Sequence, residues 1–261
     1  MAKKKKLVFI DIDGCLTTGK NNPIPWQYIK ALQGAFKKFQ RYYEYVIVTA
    51  RPAPYAEAVI QFLGLMDIKK QKHAICESGT VFHLFGSDTF FVAEEVNTDM
   101  LINFEKDLHW LQEVYHFNIE DGRKRTMCVL AGKNQALDEL AKILEEYVPN
   151  GIGMHVSAGG IDFVPNKTNK ATAVLTLAKK LNVGLEDAIC IGDSGGDIPL
   201  MNIIGHPACP QNASEKVKEL VKSKDGYTAK KEHSLGVVEI LEYYYNKNRL
   251  KRKESNEKIR D

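Results

Sequence analysis

Residues 7–19 read LVFIDIDGCLTTG, in which four apolar residues are followed at once by Asp11 and Asp13. Such a run is typical of a buried strand, and side chains two residues apart on a strand point the same way. Two like charges on one face repel each other, so the pair implies a bound cation, a shared proton or exposure to solvent. An Asp-Gly pair is also a common turn former, so this segment alone does not decide between these possibilities.

Short apolar runs alternate with helical patterns in the rest of the chain. Strands are predicted at 45–50, 74–76 and 188–192, and one of the helices between them begins at Lys170. This βαβ rhythm predicts an α/β fold whose Rossmann-like core is a doubly wound parallel sheet.

The region 83–165 has a different order of predicted strands and helices. It predicts a strand at 90–93 (FFVA), a long amphipathic helix, a strand, a second helix and two final strands. We interpret it as a smaller α+β domain inserted into the core. The predicted organisation is therefore core at 1–82, insert at 83–165, core again at 166–246, and a tail at 247–261. The tail is expected to be disordered, or in part a continuation of the preceding helix.

Composition limits the class of protein. Formal net charge is +3, and residues 247–261 hold seven basic and three acidic residues, so the rest of the chain is close to neutral. A nucleic-acid partner is therefore not favoured. Apolar runs are too short for a membrane span, and the basic start is not followed by a signal-peptide core. The five cysteines lack metal or disulfide spacing and predict reduced, mostly buried thiols, which favours the cytoplasm.

Polar residues follow three of the predicted strands. They are Asp11 with Asp13, Thr49, and Asp193, and Lys170 begins a later helix. Sites in open α/β sheets form at the carboxyl ends of strands. Carboxylates there suit a hard cation such as Mg²⁺, while a threonine hydroxyl and a lysine at a helix start suit a phosphate group. Each residue also has a plain structural interpretation, as a turn former, strand residue, solvated helix start or N-cap.

The four segments DIDGC (11–15), VTAR (48–51), Lys170 and GDSGGDIPLM (192–201) together resemble the four motifs of haloacid dehalogenase superfamily phosphatases. The insert between Thr49 and Lys170 resembles the C2B cap of the class IIB branch, and the resemblance spans about residues 6–245. The chain is broadly similar to sugar-phosphate, sucrose-phosphate, mannosyl-phosphoglycerate and phosphoglycolate phosphatases. The resemblance implies a Mg²⁺-dependent phosphatase acting on a small phosphorylated metabolite.

The resemblance also implies roles for individual residues. Asp11 corresponds to the nucleophile that forms an aspartyl-phosphate, and Asp13 to the general acid and base. Thr49 and Lys170 correspond to the groups that hold the phosphoryl oxygens. Substrate binding is expected from Thr49, Ala50, Arg51 and Lys170, and metal binding from Asp11, Asp13 through its carbonyl, Asp193 and Asp197.

Two positions depart from the family pattern, and two other functions stay open. Cys15 stands where Thr or Val is usual, and Gly196 where many relatives have Asn; we expect activity to survive both. A phosphomutase of the same superfamily would use the same aspartates. A binding protein with a vestigial site would retain the fold without the reaction. The charged turn EDGRKR (120–125) is interpreted as a solvated loop in preference to a specificity loop.

Overall fold

The computed structural model describes residues 5–19, 22–65, 72–85, 89–92, 97–133, 135–157 and 160–257. Its contacts divide the chain into two compact units. The first comprises Met1–Ile47, Val59–Met66 and Asn182–Asp261, and the second Val48–Ala58 and Asp67–Leu181. The domain limits predicted from the sequence stay a prediction.

The described residues form strands and helices in alternation. The strands are β1 (Lys6–Ile10), β2 (Tyr43–Val48), β3 (Lys72–Cys76), β4 (Val81–Phe85), β5 (Thr89–Val92), β6 (Asn118–Ile119), β7 (Met127–Leu130), β8 (Ile152–Ser157), β9 (Gly160–Pro165), β10 (Ile189–Ile191), β11 (His206–Cys209) and β12 (Tyr227–Thr228). The helices are α1 (Trp26–Phe39), α2 (Ala53–Phe62), α3 (Thr98–Tyr115), α4 (Leu137–Glu145), α5 (Lys170–Leu181), α6 (Ile198–Ile203), α7 (Glu215–Ser223) and α8 (His233–Glu257).

The first unit contains a parallel sheet with the strand order β12-β11-β10-β1-β2. From β1 the chain moves outward to β2, and from β10 it moves the opposite way to β11 and β12. The order therefore reverses between β1 and β10, where Val8 pairs with Ile189 and Ile10 with Ile191. Ligands of open α/β sheets bind at the carboxyl ends of strands at such a reversal. This confirms the predicted α/β, Rossmann-like core and marks the edge where a site is expected.

The second unit contains a four-stranded antiparallel sheet with the order β6-β7-β9-β8. Helices α3 and α4 supply Leu108, Leu111 and Leu140 to a buried core against its strands. The Phe104 and Phe163 rings meet edge-on with their centroids 5.1 Å apart. The amphipathic spacing of the two helices explains this core, because each buries one apolar stripe on the sheet.

Strands β3, β4 and β5 of the second unit form consecutive antiparallel pairs, and this corrects one prediction. The FFVA segment at 90–93 was assigned to the inserted sheet, but β5 pairs with β4, with Phe82 opposite Phe91. Ala93 lies outside the described residues. A short apolar run indicates a strand but not its partner, since pairing depends on the rest of the fold.

Helix α8 continues through most of the predicted tail. It runs to Glu257, within the segment for which disorder or a partial continuation of the preceding helix was expected, and residues 258–261 lie outside the described range. Lys6 Nζ donates to Asn248 Oδ1 at 3.2 Å, and the Phe39 and Tyr245 rings lie 5.0 Å apart. These contacts join the helix to the rest of the first unit as far as Asn248. Among the described helices, none has both the length and the apolarity to cross a membrane.

Candidate active site

Three carboxylates lie together at the reversal in strand order of the first unit. Asp11 directly follows β1, Asp193 lies two residues after β10, and Asp197 follows one helical turn later. One oxygen atom from each lies within 4.8 Å of the other two, and Asp11 and Asp197 are buried. Like charges this close need a shared cation or proton. A set of carboxylate oxygens is the donor chemistry that Mg²⁺ prefers, so these residues fit a hard divalent cation.

The chain turns sharply after Asp11, through a turn with π-helical hydrogen bonding at Ile12–Leu16. Asp11 Oδ1 accepts a hydrogen bond from the Ile12 N–H at 2.8 Å, which fixes the start of the turn. Gly14 has a φ of +81°, and a Cβ atom there would overlap the Asp193 carboxylate. The turn therefore requires glycine both for its backbone conformation and for its close approach to Asp193.

Asp197 holds the Asp193 segment in place. Its Oδ2 accepts from the N–H groups of Asp193 and Ser194, each at 3.1 Å, and from Ser194 Oγ at 3.2 Å. The Cys15 thiol, which is distant in the sequence, lies 3.9 Å from Asp193 Oδ1. A carboxylate that makes three such bonds is well suited to orient its neighbour. The predicted role of Asp197 near a metal stays a prediction.

Side chains from the C-terminal part of the first unit form hydrogen bonds with the turn after Asp11. The Gly14 carbonyl accepts from Asn212 Nδ2 at 2.9 Å and lies 3.2 Å from His233 Nδ1. Asn212 Oδ1 accepts from the His233 N–H at 2.7 Å, and Ser234 Oγ donates to the Leu16 carbonyl at 2.8 Å. These hydrogen bonds were not predicted from the sequence, because contacts between residues about 200 positions apart leave no local pattern.

In the second unit, three of the residues predicted to bind substrate, Thr49, Ala50 and Arg51, lie on a short loop that is hydrogen-bonded to the turn at Glu77–Gly79. Thr49 is buried, its N–H donates to the Ile75 carbonyl at 2.8 Å, and its Oγ1 accepts from the Arg51 N–H at 3.1 Å. The N–H groups of Glu77 and Ser78 donate to the carbonyls of Arg51 and Thr49, at 3.0 and 3.1 Å. The 49–51 loop is therefore held along its backbone.

Lys170 is the first residue of α5 and is buried, with 4% of its surface exposed. The interpretation of Lys170 as a solvated helix start is therefore wrong. Asn169 caps the helix, since its Oδ1 accepts from the N–H groups of Ala171 at 2.9 Å and Thr172 at 3.0 Å. Gly79, with a φ of +105°, comes so close to the Asn169 carbonyl that a Cβ would overlap it. The turn that bonds to residues 49–51 thus also packs against the start of α5.

The charged segment 120–125 is bound to the 49–51 loop through Glu120 and Arg123, so its interpretation as a solvated loop holds only for the exposed Asp121, Gly122 and Lys124. Arg123 donates through Nε to Glu120 Oε2 at 2.8 Å and through Nη1 to the Ala50 carbonyl at 3.1 Å. Its Nη2 lies 3.1 Å from Asp162 Oδ1, and Arg51 Nη1 lies 3.2 Å from Glu120 Oε1. Burial lowers the pKa of Arg123, but nearby negative charge, chiefly that of Asp162, outweighs it and raises the pKa above its ordinary value.

A buried carboxylate anchors the end of the same segment. Glu77 is fully buried, and its two oxygen atoms accept from three consecutive N–H groups: Lys124 at 2.9 Å, Arg125 at 2.7 Å and Thr126 at 3.0 Å. Glu77 was not among the residues predicted from the sequence, although a signal was present. Glu77 directly follows a strand, as Asp11 does, and the same rule of polar residues at strand ends would have selected it.

A model of the haloacid dehalogenase-like hydrolases matches residues 65–241, which is more than half of the chain. The chain belongs to this family. The predicted haloacid dehalogenase class IIB membership is thereby confirmed, and so is the prediction of an enzyme at the level of a hydrolase family.

Curated relatives of this haloacid dehalogenase-like hydrolase cover nearly its full length. A phosphoglycolate phosphatase of Archaeoglobus fulgidus is 25% identical over 250 residues, which are 92% of this chain and 97% of that protein. A phosphoglycolate phosphatase of Methanococcoides burtonii is 27% identical, over 91% of this chain and 96% of that protein.

Solved structures have the same fold. Thermoplasma acidophilum 0175 superposes with a TM-score of 0.71 at 19% identity, over 93% of this chain and 99% of that one. The sucrose-phosphatase of Synechocystis sp. PCC6803, solved with sucrose and phosphate, gives a TM-score of 0.65 at 16% identity, over 93% and 98% of the two chains. At these identities the likeness establishes the fold.

Proposed function

We propose that this protein is a Mg²⁺-dependent phosphatase that hydrolyses a small phosphorylated metabolite, with phosphoglycolate as the first substrate to test. The observation that carries the proposal is the group of Asp11, Asp193 and Asp197 at the reversal in strand order. Family membership supports hydrolysis, and the phosphoglycolate phosphatases at about 25% identity support a phosphate ester of a small hydroxy acid. A sugar phosphate is the related possibility. The cytoplasm, predicted from the cysteines, suits such a metabolite.

In the proposed reaction, an Asp11 carboxylate oxygen attacks phosphorus and the bond from phosphorus to the leaving oxygen breaks. Asp13 gives its proton to that oxygen, which departs as an alcohol. Asp13 then takes a proton from water, the water oxygen attacks phosphorus, and the bond to Asp11 breaks to release inorganic phosphate.

The remaining predicted residues hold the reactants. Asp11, Asp193 and the Asp13 carbonyl would bind the metal, with Asp197 supporting them. Bound there, Mg²⁺ would offset the negative charge of the carboxylates and the phosphate group. Thr49 and Lys170 would donate to the phosphoryl oxygens, and the buried position of Lys170 favours a strong interaction with an anion. Ala50 and Arg51 would face the rest of the substrate.

The test is release of inorganic phosphate from phosphoglycolate, a panel of sugar phosphates and p-nitrophenyl phosphate, with Mg²⁺ and with EDTA. The proposal predicts release that requires Mg²⁺ and is fastest with one small metabolite. Conversion of a sugar phosphate into an isomer without free phosphate would favour the phosphomutase alternative. Inertness with every compound in both assays would favour the binding protein with a vestigial site.

A further inference from the structure

The carboxylate of Glu77 holds together two segments that are far apart in the sequence. It accepts three consecutive N–H groups of residues 124–126, as well as the Thr126 hydroxyl at 3.3 Å. A buried charge is costly unless it is hydrogen-bonded, and bonds to a charged acceptor are stronger than neutral ones. If residues 124–126 moved away, the Glu77 carboxylate would be left buried without these donors. The segment is therefore held in one conformation.

The backbone around Glu77 is under strain that the surrounding contacts maintain. Glu77 and Ser78 have φ values of +49° and +57°, in the left-handed region that non-glycine residues rarely adopt. Such conformations persist where neighbouring interactions over-determine them, and they cluster at functional sites. Here the bonds to the carbonyls of Thr49 and Arg51 and to residues 124–126 supply those interactions.

The anchored segment contacts the residues that are proposed to bind substrate. Arg123 donates to the Ala50 carbonyl, and Glu120 pairs with Arg51. Arg51 also lies over the Tyr55 ring, 4.6 Å from its centroid. The side chains of Arg51 and Glu120 retain 12% and 15% exposure, whereas Arg123 retains 5%. Arg123 is therefore the most deeply buried side chain of the network, and Arg51 and Glu120 are its more exposed members.

We propose that Glu77 is a positioning residue that fixes the 120–126 loop against residues 50–51, and that this loop determines which leaving group the enzyme accepts. The inference deepens the proposed function and rests on it. Because Arg51 and Glu120 present a donor and an acceptor side by side, the loop selects a small polar leaving group. A carboxylate or hydroxyl on that group would accept from Arg51.

The test compares Glu77→Gln with wild type on phosphoglycolate and on p-nitrophenyl phosphate. Glutamine is nearly isosteric, but its NH₂ group cannot accept the N–H groups that an oxygen accepted. We expect KM for phosphoglycolate to rise about tenfold or more, while kcat/KM for p-nitrophenyl phosphate changes less than about threefold. The aromatic leaving group offers no carboxylate or hydroxyl to the loop, so a selective loss reports leaving-group recognition and not general damage.

Glu239→Gln is the matched control. Glu239 also accepts two main-chain N–H groups, those of Lys230 and Lys231, and the Tyr227 hydroxyl, but in the first unit. We expect Glu239→Gln to affect both substrates equally or not at all. If Glu77→Gln does not fold, Glu120→Gln tests the same loop from its other end and should show the same selectivity.

Equal losses of activity on both substrates, or no loss on either, in a folded Glu77→Gln variant would overturn the inference. Hydrolysis by the wild type in the same assay would still support the proposed function. Wild-type inertness with Mg²⁺ would instead contradict the proposed function. Amide hydrogen exchange then tests separately whether Glu77 holds residues 124–126 in place. Residues 124–126 should exchange at least about tenfold faster in Glu77→Gln than in wild type, and unchanged exchange would overturn the positioning role.

Discussion

At the scale of single residues, the candidate site depends on backbone positions as much as on ionisable side chains. Gly14 has a left-handed conformation and lies so close to Asp193 that a Cβ atom would overlap the Asp193 carboxylate. Its carbonyl is then held by Asn212 and lies beside His233. The arrangement of the three carboxylates is therefore as sensitive to a change at Gly14 as to a change of the acids themselves.

Gly14→Ala should damage metal binding. The new Cβ would overlap the Asp193 carboxylate, and the positive φ adds about 1 kcal/mol of strain. We expect the Mg²⁺ concentration for half-maximal phosphate release to rise about tenfold or more, measured by titrating Mg²⁺.

The control is Gly34→Ala, on an exposed part of α1 with no atom within 4 Å of the new Cβ. It should leave the Mg²⁺ requirement unchanged and raise the free energy of unfolding by about 0.5–1 kcal/mol. A Gly14→Ala enzyme with a wild-type Mg²⁺ requirement would contradict the close approach to Asp193.

Sequence patterns predicted the acids more successfully than their supports. Asp11 and Asp193 follow apolar strands, and this local signal was sufficient to place them at one edge of a sheet. Glu77 carried the same signal, but Glu120 and Arg123 did not, because a charged turn on the surface and a charged turn bound to another loop have the same composition. Only the fold distinguishes the two.

At the scale of secondary structure, the helix that begins with Lys170 is fixed at its first turn. Asn169 accepts two N–H groups from that turn, and the Asn169 N–H donates back to Thr172 Oγ1 at 3.0 Å. Helix α3 has a comparable cap, since Asn97 Oδ1 accepts from the Met100 N–H at 3.1 Å. The two caps differ in that α5 alone of this pair carries a candidate catalytic residue.

Asn169→Ala and Asn97→Ala form a matched pair. Each should lower the free energy of unfolding by about 1 kcal/mol, the usual contribution of such a cap. Asn169→Ala should also lower kcat/KM by about fivefold or more, because the first turn of α5 positions Lys170. Urea unfolding and phosphate release measure the two effects. An equal loss of activity in both variants would contradict a specific role for the α5 start.

The types and approximate limits of the helices and strands were predicted from the sequence, but the pairing of the strands was not always predicted. The buried strands β1, β2, β3 and β10 were predicted from short apolar runs, and the helix at Lys170 from its spacing. Strand β5 was predicted as a strand yet assigned to the wrong sheet. Its neighbour β4 had not been predicted, so nothing local indicated an antiparallel pair there.

At the scale of the whole molecule, buried tyrosines are expected to make the free energy of unfolding depend on pH in alkali. Burial, and to a lesser degree neighbouring tyrosines, raises the pKa of Tyr43, Tyr45 and Tyr244 well above 10. The phenols ionise near pH 10 when the chain is unfolded, but only at higher pH when it is folded. Their contribution to stability is therefore fully present below about pH 10 and is lost as the pH rises above it.

Tyr45→Phe should make this alkaline loss shallower. The Tyr45 hydroxyl is buried, and among the described residues it has no hydrogen-bond partner, so its removal should not lower stability at pH 8. Tyr43→Phe is the comparison, because the Tyr43 hydroxyl donates to the Leu241 carbonyl at 3.2 Å. We expect it to cost about 1 kcal/mol at pH 8. Urea unfolding from pH 8 to 11 measures both, and a steeper alkaline loss in Tyr45→Phe would refute this account.

One substitution tests most directly the central claim, which is that the three carboxylates at the reversal in strand order perform phosphoryl transfer. Phosphate release from phosphoglycolate should be compared between wild type and Asp11→Asn, with Mg²⁺ and with EDTA. The account predicts Mg²⁺-dependent release by wild type and a loss of about a thousandfold or more in a folded Asp11→Asn enzyme, because an amide cannot replace the attacking carboxylate. Release by Asp11→Asn at the wild-type rate would contradict it.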